Sequence, residues 1–189
     1  MYKQILENIS KHIQLNEEEE QYFISLLNHK KIKSKTFILE EGDICKHSVF
    51  VVNGCFRGFT VDKNGFEHVI NFAPQNWWIG DLYSLISQKP CVLNIQAMSD
   101  TEALFLSKSD QELLYQKVPK FERFFRIIIE NSLVSYQQRL IDNLSLTAEE
   151  RYKKFCKTYP NLINDIPQKH VASYIGVTPE FLSKMKGKW

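Results

Sequence analysis

The sequence QKHVASYIGVTPEFLSKMKGKW, residues 168–189, contains two short helical patterns that meet at Gly176. The apolar residues of this stretch recur at helical spacing on both sides of the glycine: Val171, Ile175, Val177, Leu182 and Met185. Glycine readily adopts the positive φ that ends a helix, and Thr178 followed by Pro179 is typical of a helix cap and first turn. The stretch therefore predicts a helix-turn-helix.

Basic residues are concentrated in the same part of the chain. From Ser145 onward there are eight Lys or Arg against four Asp or Glu, whereas residues 1–144 carry 16 basic and 18 acidic groups. A basic segment on a slightly acidic body favours a polyanionic partner, because binding to phosphates releases counterions. The charge alone is equally compatible with an ordinary solvated surface.

The composition excludes several classes of protein. The chain has 189 residues, of which 43% are hydrophobic, so it can bury a core. It has no apolar run of about 18 residues and no signal-peptide pattern, which predicts a cytoplasmic protein. Its four cysteines, at positions 45, 55, 91 and 156, form no CxxC pair. We expect buried free thiols and neither a metal nor another cofactor.

The middle of the chain has the pattern of a β-structure. Residues 47–72, HSVFVVNGCFRGFTVDKNGFEHVINF, read as three apolar strands, and Asn64-Gly65 predicts a type I′ hairpin between the last two. Residues 93–107, LNIQAMSDTEALFLS, add two short strands. Short antiparallel strands at this spacing predict a barrel or a double-sheet jelly roll.

A long helix should follow the strands. After Pro119, the residues up to 146 contain neither glycine nor proline, and apolar residues recur every three or four positions. A helix of about 25 residues would extend nearly 40 Å, beyond a small barrel, so part of its apolar stripe is predicted to meet a second copy. The predicted dimer interface comprises Phe121, Phe125, Ile129, Leu133, Tyr136 and Leu140. Alternatively the helix folds wholly against the barrel, with Arg123, Arg126 and Arg139 on its outer face.

Residues 77–97, WWIGDLYSLISQKPCVLNIQA, are similar to the phosphate-binding cassette of the Crp/Fnr family of bacterial transcription regulators. Together with the terminal helix-turn-helix, they make the whole chain resemble this family. The resemblance implies an α+β fold with a sensory β-roll and N-terminal helices in residues 1–117, a dimerisation helix in 118–144 and a helix-turn-helix domain in 145–189. A two-stranded wing usually follows in this family, so with the sequence ending at Trp189 the wing is either absent or truncated.

The resemblance also implies which residues contact DNA. The second helix of the motif, 178–188, would enter the major groove and place Pro179, Glu180, Ser183 and Lys184 toward the bases. Gln168 and Thr178 would contact the DNA backbone, and Lys186 and Lys188 would add positive charge. The implied partners are double-stranded DNA, a second copy of the chain, RNA polymerase and an unidentified small-molecule effector, but no membrane.

The effector pocket of the family maps onto Gly80, Asp81, Leu82, Cys91 and Val92. Relatives that bind cyclic AMP hold its phosphate with an arginine followed by serine or threonine, and this chain has Cys91-Val92 there. Neither side chain replaces the charge-assisted contact of a guanidinium. We therefore expect no binding of cyclic AMP. The pocket should instead be filled by Leu82, Leu85, Cys91 and Val92 or take an uncharged, more apolar effector.

A second class of function stays open at this point. The same jelly-roll architecture could carry a cupin-like metal enzyme, with His68 and Asp81 as ligands and the terminal helices in a structural role. The strand region has few histidines for such a site. No catalytic residue is predicted.

Overall fold

A computed structural model describes residues 2–187, which form eight helices and eight strands. The helices are α1 (Tyr2–Ser10), α2 (Glu17–Ser25), α3 (Leu82–Ser87), α4 (Lys108–Lys117), α5 (Lys120–Ser145), α6 (Ala148–Thr158), α7 (Gln168–Ile175) and α8 (Pro179–Lys186). The strands are β1 (Asn28–Ile32), β2 (Phe37–Leu39), β3 (His47–Asn53), β4 (Cys55–Val61), β5 (Glu67–Pro74), β6 (Trp78–Ile79), β7 (Asn94–Ala97) and β8 (Thr101–Ser107).

The strands form two antiparallel four-stranded sheets. Their orders are β1-β8-β3-β6 and β2-β7-β4-β5. Apolar side chains of both sheets fill the space between them, with Val51, Phe56 and Ala103 almost fully buried there. The predicted double-sheet jelly roll and the α+β class are confirmed.

Glycines shape both turns around β4. The chain passes from one sheet to the other at Gly54, where φ is +87°. The hairpin between β4 and β5 is present, but the predicted type I′ turn is wrong because only Gly65 has positive φ, not Asn64. The Asp62 carboxylate accepts hydrogen bonds from the backbone N–H groups of Asn64 and Phe66, so it holds a three-residue loop with glycine in the left-handed position.

The N-terminal helices and the first turns of α5 form a separate core on one side of the β-roll. Phe121, Phe124 and Phe125 are buried there against α1, α2 and the side chain of Trp78. Phe121 and Phe125 were predicted to contact a second copy of the chain. Their side chains lie inside the protomer, so they are not available to a partner.

The second half of α5 presents an apolar side to solvent, while Arg139 on its other side donates hydrogen bonds to β5. It carries exposed apolar side chains, of which Leu133 is 66% exposed: Ile129, Leu133, Val134, Tyr136, Leu140, Ile141 and Leu144. The alternative in which this helix folds wholly against the barrel is therefore wrong for that half. No helix within residues 2–187 is both long enough and apolar enough to cross a membrane.

The C-terminal helices pack against the outer face of β4 and β5. Cys55, Phe59, Val69 and Phe72 of these strands form one apolar cluster with side chains of α6, α7 and α8. The cluster is aromatic at its centre, where Phe72 meets the rings of Phe155, Tyr159 and Tyr174. The two parts of the chain thus share a core.

Gly54 and Gly65 offer a matched test of the β-roll. Both have positive φ, so alanine strains the backbone at either site by about 1 kcal/mol. At Gly54 a Cβ would also lie 2.4 Å from Thr101 Oγ1 and 2.9 Å from the Asp100 carbonyl oxygen, whereas at Gly65 it would meet nothing within 4 Å. We expect Gly54→Ala to lower the midpoint of urea unfolding clearly more than Gly65→Ala. Equal midpoints for the two variants would contradict the close approach at Gly54.

Candidate functional site

The helix-turn-helix is formed by α7, the turn at Gly176 and α8. Gly176 has φ +73° and its N–H donates to carbonyls of the last turn of α7, which ends that helix. Thr178 caps α8 by accepting a hydrogen bond from the N–H of Phe181 at 3.2 Å, and Pro179 occupies the first turn. Leu182 is buried against α7. The features predicted from residues 168–189 are therefore present in the structure.

The outward face of α8 carries the residues predicted to read DNA. Pro179, Glu180, Ser183 and Lys184 are exposed, and so are Gln168 at the start of α7 and Thr178 at the cap. A hydrogen bond from its own backbone amide, and then one from Thr178, hold the pKa of Glu180 below its usual value. The Glu180 side chain is therefore an ionised acceptor.

Three further residues complete the description of this face. Lys186 is half-buried, with its ammonium 5.8 Å from the centre of the Tyr152 ring, so it lies beside α6. Lys188 lies outside the residues that the structure describes. Phe181, next to Glu180, is 52% exposed. It was not predicted from the sequence to contact DNA, although it does not share the inward-facing side of the helix with Leu182, which indicates an exposed side chain.

A buried arginine joins the β-roll to the helix-turn-helix. Arg57 on β4 is only 4% exposed, and its guanidinium donates to both carboxylate oxygens of Glu67, at 2.5 and 3.0 Å. It also donates to Gln96 Oε1 at 2.7 Å and to His170 Nδ1 at 2.8 Å. His170 lies in the first turns of α7, so this arginine links three strands to that helix.

The protonation state of His170 is fixed by this contact. Burial, and then the positive charge of Arg57, lower the pKa of His170 to about 4. Neutral imidazole can accept the hydrogen bond at Nδ1, whereas imidazolium cannot. Docking of α7 against Arg57 therefore requires the neutral form.

Two more contacts hold α7 and α5 to β5. Ser173 Oγ accepts from the N–H of Val69 at 2.9 Å and donates to the Glu67 carbonyl at 2.7 Å. The Arg139 guanidinium of α5 donates to the carbonyls of Val69 and Tyr174, both at 2.8 Å, and to that of Ile70. Arg139 was expected on an outer face if the helix folded against the barrel; it is instead half-buried at the junction of the β-roll and the C-terminal helices.

Two residues of the cassette, Asp81 and Cys91, make hydrogen bonds that stabilise the local fold. Asp81 is buried and caps α3, since its Oδ1 accepts from the N–H of Ser84 at 2.9 Å. Within residues 2–187 its other oxygen, Oδ2, has no hydrogen-bond partner. Cys91 is buried and donates its thiol to the Glu40 carbonyl at 3.0 Å, and burial raises the pKa of this thiol. Val92 is 56% exposed, so the expectation that it fills the pocket is wrong.

The cavity beside the cassette is small and mainly apolar. It measures about 150 Å³, and its walls include Gly80, Leu82 and Leu85 from the cassette and Ile129 and Tyr136 from α5. Ligand pockets usually measure about 300–1,000 Å³. Leu82 and Leu85 thus line this space as expected, and the space is too small for a nucleotide without rearrangement.

The residues of the metal-enzyme alternative lie in other roles. His68 is exposed and its Nε2 lies 3.0 Å from Asp62 Oδ2, whereas Asp81 caps α3. Over the described part of the chain, no group of three His, Cys, Asp or Glu side chains could hold a metal ion. The cupin-like alternative therefore has no ligand set in these residues.

Comparison with known proteins identifies the domain that contains the β-roll. Residues 29–117 match the family model of the cyclic nucleotide-binding domain. This range covers the β-roll from β1 to the end of α4. A search among curated proteins finds no significant match.

Solved structures are similar over most of the chain. FixK2 from Bradyrhizobium japonicum has a TM-score of 0.76 at 16% identity, covering 86% of this chain and 83% of its own. The regulator CLP from Xanthomonas campestris, described as responsive to c-di-GMP, has a TM-score of 0.72 at 13% identity, covering 92% and 93%. A structure from Eubacterium rectale described as a Crp/Fnr-family transcriptional regulator has a TM-score of 0.72 at 13% identity, covering 90% and 82%. The chain has the Crp/Fnr fold.

The resemblance drawn from the cassette and the terminal motif is confirmed at this level. The Crp/Fnr fold combines the β-roll, the long helix and the C-terminal helices in one chain, as described above. Identities of 13–16% establish the architecture, whereas the chemistry of the sites has to be argued from this chain's own residues.

The Arg57–His170 contact predicts a pH dependence of stability. The folded pKa of about 4 lies below the unfolded value of 6.5. The unfolded state therefore binds more protons between these values, and the contribution of His170, complete above about pH 6.5, is lost as pH falls through about 4. Denaturant titrations from pH 7.5 to 4.5 should show the free energy of unfolding declining.

His170→Asn is the matched control, because the asparagine oxygen can accept from Arg57 without titrating. This variant should show a flatter decline than the wild type over the same range. Glu67, whose pKa the Arg57 hydrogen bond lowers most, keeps that hydrogen bond in both proteins, so its own contribution to the decline is shared by wild type and variant. Identical slopes in wild type and variant would contradict the assignment to His170.

Proposed function

We propose that the chain is a dimeric, sequence-specific DNA-binding transcription regulator with a sensory β-roll. The observation that carries the proposal is the orientation of α8. Its apolar side is buried against α7, and α7 is bound to the β-roll, whereas its polar side faces outward at the end of a basic segment. In this function the protein works in the cytoplasm beside its DNA, with RNA polymerase as a further partner.

The exposed side chains of α8 have the chemistry to read base edges. Ionised Glu180 can accept from cytosine N4, and Lys184 can donate to guanine O6 or N7. Ser183 can donate or accept, and Phe181 offers an apolar surface to a thymine methyl group. We propose that Gln168, Thr178 and Lys186 contact phosphates, which position the helix without specifying sequence.

The second half of α5 is proposed to form a two-fold interface. Ile129, Leu133, Tyr136 and Leu140 lie along α5 as exposed or partly exposed apolar side chains, and contiguous apolar stripes of this kind mark protein contacts. An isologous pairing of the helix would also pair the two helix-turn-helix motifs. Two recognition helices about 34 Å apart then read a near-palindromic site.

The β-roll is proposed to sense something other than cyclic AMP. A cyclic phosphate at the cassette would meet no guanidinium, since Cys91 is buried and its thiol already donates to the Glu40 carbonyl. It would instead approach the buried carboxylate of Asp81. The apolar walls of the 150 Å³ cavity favour a small uncharged effector there.

The DNA proposal predicts distinct effects for two lysines. Lys184→Ala removes the central groove-facing cation and should weaken binding to a duplex selected from a random library by about 1–3 kcal/mol. Lys186→Ala removes a proposed phosphate contact and should weaken binding to all duplexes nearly equally. Fluorescence anisotropy on selected and scrambled duplexes measures both. If neither change affects binding to any selected duplex, the DNA-reading role of α8 is wrong.

The dimer proposal predicts that charge on α5 releases monomers. Leu133→Glu would place two carboxylates in an apolar interface, whereas Phe66→Glu changes a residue of the same 66% exposure at the hairpin tip. Light scattering at micromolar concentration should give a dimer for the wild type and Phe66→Glu, and a monomer for Leu133→Glu. A monomeric wild type, or a dimeric Leu133→Glu, would contradict the interface.

The cassette predicts the result of a ligand titration. Cyclic AMP and cyclic GMP should give no binding heat with the wild type, because no cation compensates the desolvation of the phosphate. Isothermal titration calorimetry is the measurement. A dissociation constant in the low micromolar range or below would contradict the proposal that the β-roll does not bind cyclic nucleotides. It would not affect the proposal that α8 contacts DNA.

A further inference from the structure

A second, larger cavity lies between the β-roll, α5 and the C-terminal helices. It measures about 470 Å³ and is bounded by α1, β5, the loop before β6, α5 and the region from α6 to α7. Six aromatic side chains contribute to its walls: Phe72, Trp77, Trp78, Tyr136, Tyr159 and Tyr174. This cavity is distinct from the 150 Å³ space at the cassette, although Tyr136 borders both.

The aromatic walls are arranged around a half-open entrance. The Trp77 indole is 40% exposed and its ring centre lies 5.4 Å from that of Tyr159, which is buried. Tyr159 in turn contacts the ring of Tyr174 edge-on, at 5.7 Å between centres. A planar ring that enters beside Trp77 therefore meets further aromatic surface, with which it can stack or make edge contacts.

The Arg139 guanidinium at this cavity is a cation without a counter-ion. Its two terminal nitrogens donate to backbone carbonyls, and Nε is buried without a hydrogen-bond partner among the described residues. Across residues 2–187 no carboxylate lies within 4 Å of the Arg139 guanidinium. The titratable side chains that affect the pKa of Arg139 are three tyrosines. Arg57, the other arginine of this junction, has Glu67 as its counter-ion.

The remaining polar groups of the cavity also favour an anion. Lys11 adds a second cation to the lining, and Asn8, Asn131, Ser132 and Ser135 supply side chains that can donate hydrogen bonds. No Asp or Glu contributes to the lining. A half-buried cation without an acidic partner is costly, and a bound carboxylate would provide the missing charge.

We propose that this interdomain cavity binds a planar aromatic carboxylate. Its carboxylate lies toward Arg139 and its ring packs against the exposed Trp77 indole at the entrance. A ligand in this position touches the β-roll, α5 and the C-terminal helices at once, so it stabilises the docked arrangement of the helix-turn-helix. The proposal goes beyond DNA binding and is tested without DNA.

Calorimetric titration with 2-naphthoate and with its neutral counterpart 2-naphthamide tests the charge and the ring separately. The two probes share the ring system and differ in the negative charge. We expect 2-naphthoate to bind with a submillimolar dissociation constant and 2-naphthamide to bind at least about tenfold more weakly. Equal affinities for the two probes, or no binding of 2-naphthoate, would overturn the proposal.

Two arginine variants on α5 assign the charge. Arg139→Gln should abolish the preference for the acid over the amide. Arg126→Gln, at an exposed arginine paired with Glu130, is the matched control and should retain it. Retention of the preference in Arg139→Gln would overturn the proposal.

If circular dichroism shows that Arg139→Gln does not fold, Trp77→Ala tests the proposed binding of an aromatic carboxylate instead. Trp77 is partly exposed and does not border the cassette cavity, so its loss should affect only the interdomain site. This variant should bind 2-naphthoate at least about tenfold more weakly than the wild type. Unchanged affinity in Trp77→Ala would overturn the proposal.

Discussion

The outer face of β4 and β5 is apolar, and the C-terminal helices are what cover it. Phe59, Val69 and Phe72 would otherwise face water on a sheet whose other face already lines the jelly-roll core. Burying them brings α6, α7 and α8 onto the β-roll and turns the outward face of α8 toward solvent. The position of the proposed DNA-binding face of α8 therefore depends on the packing of a strand pair in the β-roll.

Two buried or half-buried arginines also contribute to the contact between the β-roll and the C-terminal helices. Arg57 has a carboxylate partner in Glu67 and an acceptor in neutral His170, so its charge is compensated inside the junction. Among residues 2–187, Arg139 donates its hydrogen bonds to backbone carbonyl oxygens and lies over the Tyr174 ring, with no carboxylate within 4 Å. One arginine thus makes the junction sensitive to pH through its histidine, and the other leaves it with an unpaired positive charge beside a cavity.

Local patterns in the sequence predicted the local structure well. The αL glycine at 176, the cap at Thr178 and the long helix after Pro119 depend on neighbouring residues, and each is present. Non-local contacts were harder to predict: Phe121 and Phe125 have the spacing of an interface stripe, yet the N-terminal helices cover them. In β4, apolar residues fall on both faces of the strand, Phe56 on one and Cys55 and Phe59 on the other, which was a signal that both faces are covered.

The shared core is the central claim, because it makes the β-roll and the helix-turn-helix one cooperative unit. Differential scanning calorimetry on the whole chain tests it most directly, since domains without a common core unfold separately. The account predicts a single endotherm. Separate thermal scans of tryptophan fluorescence and of helical circular dichroism should show their transitions at the same temperature as this endotherm. Two separate endotherms, with the C-terminal helices melting before the β-roll, would contradict it.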